Sequence, residues 1–176
     1  MTRRVLLDTN LLIAAFDATS TTSEEKRTHA KTILSHLLSD NEVALAITPL
    51  IRYEVLRGIA WLDPEHYQDL KNILSAFTEF DISREVSELA ADLYRFDKHQ
   101  AEQKNENKNL EKRKFDIVHL ACSKCNHLEL ASQDTDIAKL NLLYCEYKDA
   151  CDKVKLEPTN PLPAVPWFPL GKHALR

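Results

Sequence analysis

Along the chain, short unbroken apolar runs alternate with longer stretches in which apolar residues recur every three or four positions. Val5-Leu6-Leu7 and Val43-Ala44-Leu45-Ala46-Ile47 have strand length and carry no polar alternation. That is the pattern of strands buried on both faces of a parallel sheet. Phe77-Thr78-Glu79-Phe80-Asp81-Ile82 alternates, which predicts a third strand with one polar face, and Leu128 to Ser132 predicts a fourth. Val154-Lys155-Leu156 predicts a last edge strand. Helical spacing starts at Leu11, after Ser23, at Pro49 (running to Leu62), and again through Leu70 and Leu74. It returns after Ser83 as far as Phe96, from Phe115 onward, and through Ile137, Leu140 and Leu143. Helices alternating with buried strands predict an α/β fold with a mainly parallel central sheet of four or five strands.

Polar residues gain meaning from where they interrupt this pattern. Asp8 stops the first apolar run and so falls at a strand's carboxyl end, where open α/β sheets bind ligands. It is equally suited to capping the helix that follows. Thr9 and Asn10 fit the turn between them. Glu54 lies inside the apolar stripe of its helix, beside Leu50 and Gly58. A carboxylate there costs several kcal/mol unless paired or metal-bound, to order of magnitude. A structural ion pair, for instance with Arg57, is the plainer explanation. Asp116 follows the basic trio Lys112-Arg113-Lys114 and is expected in the first turn of its helix, with His119 one turn on, read as a surface histidine. The fourth strand ends near Asp134 and Asp136.

From Asp97 to Lys114 the chain is almost wholly polar and mixed in sign, which predicts a solvated helix end and a mobile loop. Beyond Glu157, five prolines in twelve residues exclude helix and central strand and predict an extended strap carrying Trp167 and Phe168.

Composition narrows the chemistry. The 176 residues carry a formal charge of −4, so no global basic field draws nucleic acid, and any such contact must be local or bridged by metal ions. Only two glycines occur, Gly58 and Gly171, which excludes a glycine-rich phosphate loop. No signal peptide or membrane-spanning run is visible, and four cysteines without a secretory signal fit reduced thiols in a cytoplasmic protein. Cys122-x2-Cys125 with Cys145 and Cys151 offers a competing zinc arrangement. Against it, Cys125 is expected on an apolar helix face, where a thiol acts as a small hydrophobe.

Carboxylates gathered at strand ends would repel without a counterion, and an all-oxygen set selects Mg²⁺ or Mn²⁺. Such ions serve phosphoryl hydrolysis by lowering the pKa of a water, aiming it at phosphorus and steadying the leaving oxygen.

Four motifs in this order then resemble the PIN-domain ribonucleases, of the kind found as toxins of VapBC-type toxin–antitoxin pairs. They are Leu7-Asp8-Thr9-Asn10, Tyr53-Glu54-Val55-Leu56-Arg57-Gly58, Phe115-Asp116-Ile117-Val118-His119-Leu120-Ala121, and Ser132-Gln133-Asp134-Thr135-Asp136. The resemblance implies a three-layer sandwich and an Mg²⁺- or Mn²⁺-dependent ribonuclease, a hydrolase. Asp8, Glu54, Asp116 and Asp134 would be its catalytic, metal-binding acids, with Asp136 as a substitute for Asp134. Thr9 or Asn10, and Ser132, would support them; separately, the charge run makes Lys112, Arg113 and Lys114, with His119, the candidates to touch the RNA. The resemblance also implies homodimerisation and silencing by an antitoxin protein. The segment before Asp116 is longer and more charged than is usual in this family, and His119 takes a commonly small or apolar position. The expected organisation is one catalytic domain over 1–157 and a proline-rich tail over 158–176.

Two rivals remain at this level. An aspartyl-phosphate phosphatase would also place an aspartate after the first strand, but it wants a second one where this chain has Asn10. The other is an inactive module of the same shape whose acids only brace the fold.

Overall fold

The computed structural model describes residues 2–17, 21–132 and 136–153, the side chains of 136 and 137 excepted. The expected edge strand at 154–156, the proline-rich strap and Asp134 lie outside the described residues. The described residues fall into two compact units, the first drawn from 1–81 and 129–134, the second from 82–128 and 135–153.

The first unit holds a four-stranded sheet in the order β3-β2-β1-β4, formed by β1 (Arg3–Leu7), β2 (Val43–Ile47), β3 (Thr78–Glu79) and β4 (Glu129–Ala131). Every pairing is parallel. β1 therefore has a neighbour on each side, and Val5, Leu6 and Leu7 are buried, which is why its sequence does not alternate. Leu6 pairs with Ala46 on one side and Leu130 on the other. At the opposite end from the acids, Arg3 clamps β1 to β4 with two hydrogen bonds to Glu129, of 3.0 and 2.7 Å.

α1 (Thr9–Phe16) and α2 (Glu24–Ser39) connect β1 to β2, and α3 (Pro49–Leu56) and α4 (Pro64–Leu74) connect β2 to β3. The starts of three of these helices follow sequence rules. Ser23 caps α2 through Lys26 N, Thr48 caps α3 through Ile51 N, and Asp63 caps α4 through His66 N, with proline opening both α3 and α4.

Two elements are shorter than the pattern predicts. α3 stops at Leu56 rather than Leu62. Its last turn tightens into i→i+3 bonds from Gly58 N to Val55 O and from Ile59 N to Leu56 O. Leu62 is then 91% exposed beside Trp61 at 95%. β3 covers two residues rather than six. β2 ends at Ile47 because Thr48 must cap α3, so beyond the Phe80 N–Ile47 O bond no partner strand remains.

The second unit contains α5 (Arg84–Gln103), α6 (Leu110–Cys125) and α7 (Asp136–Lys153). Here the loop expected within Asp97–Lys114 narrows to 104–109, between a longer α5 and an earlier start of α6. α5 continues two turns past Phe96, to Gln103. It then ends on Asn105, at φ 51, with Glu106 N bonded to Ala101 O and Asn105 N to Glu102 O. This paired arrangement closes helices on a left-handed residue, a conformation asparagine tolerates.

Candidate functional site

Leu7 pairs with Ala131, so the residues after them, Asp8 and Ser132, emerge side by side from adjacent parallel strands. Asp8 N donates to Ala131 O at 2.9 Å, which continues the ladder by one rung. The strand order places this point between β1 and β4, at the carboxyl edge of the sheet. Ligands of open α/β sheets bind where the chain direction of the connections reverses.

Asp8 occupies the position before α1, but its side chain makes no capping bond. Its Oδ2 instead accepts a 2.5 Å hydrogen bond from Ser132 Oγ, and the residue is 4% exposed. The helix-cap explanation of Asp8 is thereby set aside.

Thr9, buried as the first residue of α1, donates from Oγ1 to Glu54 Oε2 at 2.8 Å. Glu54 is half-buried on α3, as the apolar stripe suggested. The ion pair with Arg57 does not form, because that guanidinium lies over the Tyr53 ring, 5.6 Å from its centroid. Consecutive residues 8 and 9 thus present one acid and hold another. Asn10, the remaining polar residue of the first motif, is exposed.

Asp116 is half-buried on α6 of the second unit. It is the seventh residue of that helix, so it sits in the second turn rather than the first and gains little from the helix dipole. His119 is corrected from surface to core at 2% exposure. Nearly every residue from Ile117 to Lys124 is buried, so this stretch of the helix has no exposed face on which a histidine could stand. Of the basic trio, Arg113 donates to Asp97 at 2.7 Å, and Lys114 pairs with Glu111 while lying over Phe115. Lys112 is exposed. Asp136 opens α7 and Asp134 is outside the described residues.

Among the described residues, no three His, Cys, Asp or Glu side chains form a ready cluster of metal ligands. The chemistry of the donors still fits a hard divalent ion. Asp8 and Glu54 are oxygen donors oriented by neutral hydroxyls, with the first kept off its helix cap. The cysteines fit zinc poorly. Among the described residues they gather into no ligand cluster, Cys122 and Cys151 being buried, Cys125 half-buried and Cys145 exposed.

Sequence reasoning missed Asp97, which is 1% exposed and bonded to both Lys108 and Arg113. The signal was present: Asp97 continues the α5 stripe of Ala90 and Leu93 toward Ala101, as Glu54 continues its own.

No curated protein matches the chain. Among solved structures, VapBC2 from Rickettsia felis bound to a DNA fragment from its promoter aligns with TM-score 0.55 and 16% identity. That match covers 78% of this chain and 92% of the other. A toxin–antitoxin complex from Klebsiella pneumoniae aligns with TM-score 0.48 and 24% identity, covering 74% and 87%. At 16% identity the likeness to VapBC2 concerns the fold alone. The family model for the PIN domain matches residues 5–142, most of the chain, and the chain belongs to the PIN-domain family, whose members are typically nucleases.

Proposed function

We propose that this protein is an Mg²⁺- or Mn²⁺-dependent endoribonuclease in which Asp8, Glu54, Asp116 and Asp134 hold the metal. Asp136 stands by as a substitute for Asp134. The observation that carries this reading is the treatment of Asp8. It is a nearly buried carboxylate at a strand's carboxyl end, turned away from its helix cap and oriented by Ser132. Thr9 supports it by fixing Glu54. When bound, the metal would supply positive charge for the phosphodiester and a lowered pKa for the attacking water. The chain itself contributes placement: hydroxyls hold the acids, and the exposed Lys112 and partly engaged Lys114 offer charge to phosphate. With Arg113 on Asp97 and His119 in the core, those two residues are assigned to structure rather than to RNA contact.

The protein acts in the cytoplasm as a homodimer silenced by an antitoxin protein. The family membership and the VapBC2 fold likeness favour this toxin role. No described helix is long and apolar enough to cross a membrane. The phosphatase alternative is weakened by exposed Asn10 at the position where that chemistry wants a second aspartate.

The test is cleavage of labelled structured RNA in Mg²⁺, Mn²⁺ or EDTA, with DNA of the same sequence alongside. Metal-dependent cutting of RNA is expected. Absence of cutting in either metal, or equal cutting in EDTA, would overturn the proposal.

A further inference from the structure

We propose that Asp97 is a positioning residue for Asp116, setting the placement of α6 through Arg113 and Lys108. The inference rests on the reading of Asp116 as a metal-binding acid.

All the residues involved belong to the second unit. Asp97 lies on α5, 1% exposed, with both carboxylate oxygens engaged. Oδ2 accepts from Arg113 Nη1 at 2.7 Å and Oδ1 from Lys108 Nζ at 3.3 Å. Arg113 is on α6, one helical turn before Asp116, and Lys108 is in the connection between the helices. Asn109 gives the start of α6 no side-chain cap, so its first turn rests on the backbone bonds of Leu110 N to Lys108 O and Lys112 N to Asn109 O and on packing against α5. A helix without a cap frays through its first turn. Asp116 follows in the second turn, next to the turn that would fray, so its placement depends on what anchors that first turn.

A second side-chain tie between α5 and this end of α6 is Tyr94 Oη to Glu111 Oε1, at 3.2 Å and exposed. An exposed bond of this kind holds a helix end weakly. The Asp97 pair is buried on its acidic side, and removing one partner of such a pair is strongly felt. It also pulls together the two ends of the 104–109 connection. Burial lowers the pKa of Lys108, but its bonds to Glu106 and Asp97 outweigh this and leave it raised, so the lysine stays charged.

The test uses Asp97→Asn, Arg113→Met and Arg113→Lys in the full chain. Amide hydrogen exchange is followed in metal-free protein, and Mn²⁺ affinity is measured by calorimetry well below the unfolding midpoint. Should Asp97→Asn fail to fold, Arg113→Met still leaves Asp97 its Lys108 partner, and Arg113→Lys, which keeps the positive charge, is the mildest of the three variants. We expect amides 110–116 to exchange at least ~10-fold faster in Arg113→Met, those of β1 to be unchanged, and Mn²⁺ affinity to fall about 10-fold, as for a tie of ~1.4 kcal/mol. Arg113→Lys should restore most of both. Faster exchange with unaltered Mn²⁺ affinity, or no change in exchange, would overturn the positioning role while leaving Asp116 as a ligand. Failure of the wild type to bind Mn²⁺ would overturn both the role and the reading beneath it.

Discussion

Thr9 Oγ1 donates a 2.8 Å hydrogen bond to Glu54 Oε2, so the residue after the strand-end aspartate holds an acid from a helix 45 positions further on. The same short turn therefore displays Asp8 and orients Glu54. Because α1 begins directly after β1 and α3 directly after β2, this bond ties the start of α1 to the second turn of α3.

Thr9→Val keeps the branched shape and removes the donor. A hydrogen bond to a charged acceptor contributes about 1.5–3 kcal/mol, so Mn²⁺-supported RNA cleavage should fall roughly 10-fold or more. Thr9→Ser should stay within about 3-fold of wild type, since the hydroxyl survives. Equal rates for Val and wild type would show that Glu54 does not depend on Thr9.

Ser132→Ala removes the donor to Asp8 in a nearly buried setting. Metal-free protein should lose about 1–3 kcal/mol of stability, read from urea unfolding. An unchanged urea midpoint would mean that the Ser132 bond contributes nothing to holding the β1 and β4 ends.

Cys122 has the opposite relation to its surroundings. Burial pushes its thiol from an ordinary value of 9.0 to about 11. Between these values the unfolded chain loses its proton first, so stability must fall as pH rises through this window. The rise corresponds to about 3 kcal/mol, lost by wild type relative to Cys122→Ala between pH 9 and 11. Urea midpoints of the two proteins across that range measure it, and parallel curves would contradict the assignment. In native protein at pH 8, exposed Cys145 should be alkylated long before Cys122.

Lys124 titrates with the reverse sign. It is buried, bonded to Asn141 Oδ1 at 2.7 Å and 5.0 Å over the Tyr144 ring. Desolvation nevertheless lowers its pKa, with Lys148 acting the same way and Cys145 opposing. Its folded value lies below the unfolded one, so the stability present above the unfolded value is lost as pH falls through the folded one. Lys124→Met, of similar length and uncharged, should therefore be as stable as wild type or more stable at pH 7 and less favoured at pH 11. Thermal unfolding at the two pH values checks this, and a markedly lower melting point at pH 7 would contradict it.

The sequence was most legible where one physical demand acted alone. Val5 to Leu7 and Leu45 to Ile47 are buried by neighbours on both sides, and nothing competes with reading them as parallel strands. Glu54 was legible because a carboxylate in an apolar stripe needs a reason. Asp97 obeyed the same rule but was lost in a run of charges, where the eye reads solvation. β3 was overestimated because alternation fixes how a strand would face, not how far its partner extends. His119 was unreadable because α6 is buried almost all round from Ile117 to Lys124, which erases the periodicity by which polar faces are recognised. The turn of Asp8 away from its cap depends on Ser132, 124 positions distant, and only the β1–β4 register reveals it.

The central claim is that the strand-end acids bind a divalent ion, and calorimetric titration of Mn²⁺ into wild type and Asp8→Asn tests it most directly. The substitution keeps size, and the asparagine oxygen can still accept from Ser132, so the fold should be retained. Binding by wild type, lost or weakened at least ~30-fold in Asp8→Asn as for about 2 kcal/mol, is the predicted result. No binding by wild type, or equal binding by both, would contradict the account and leave the acids as braces of the fold.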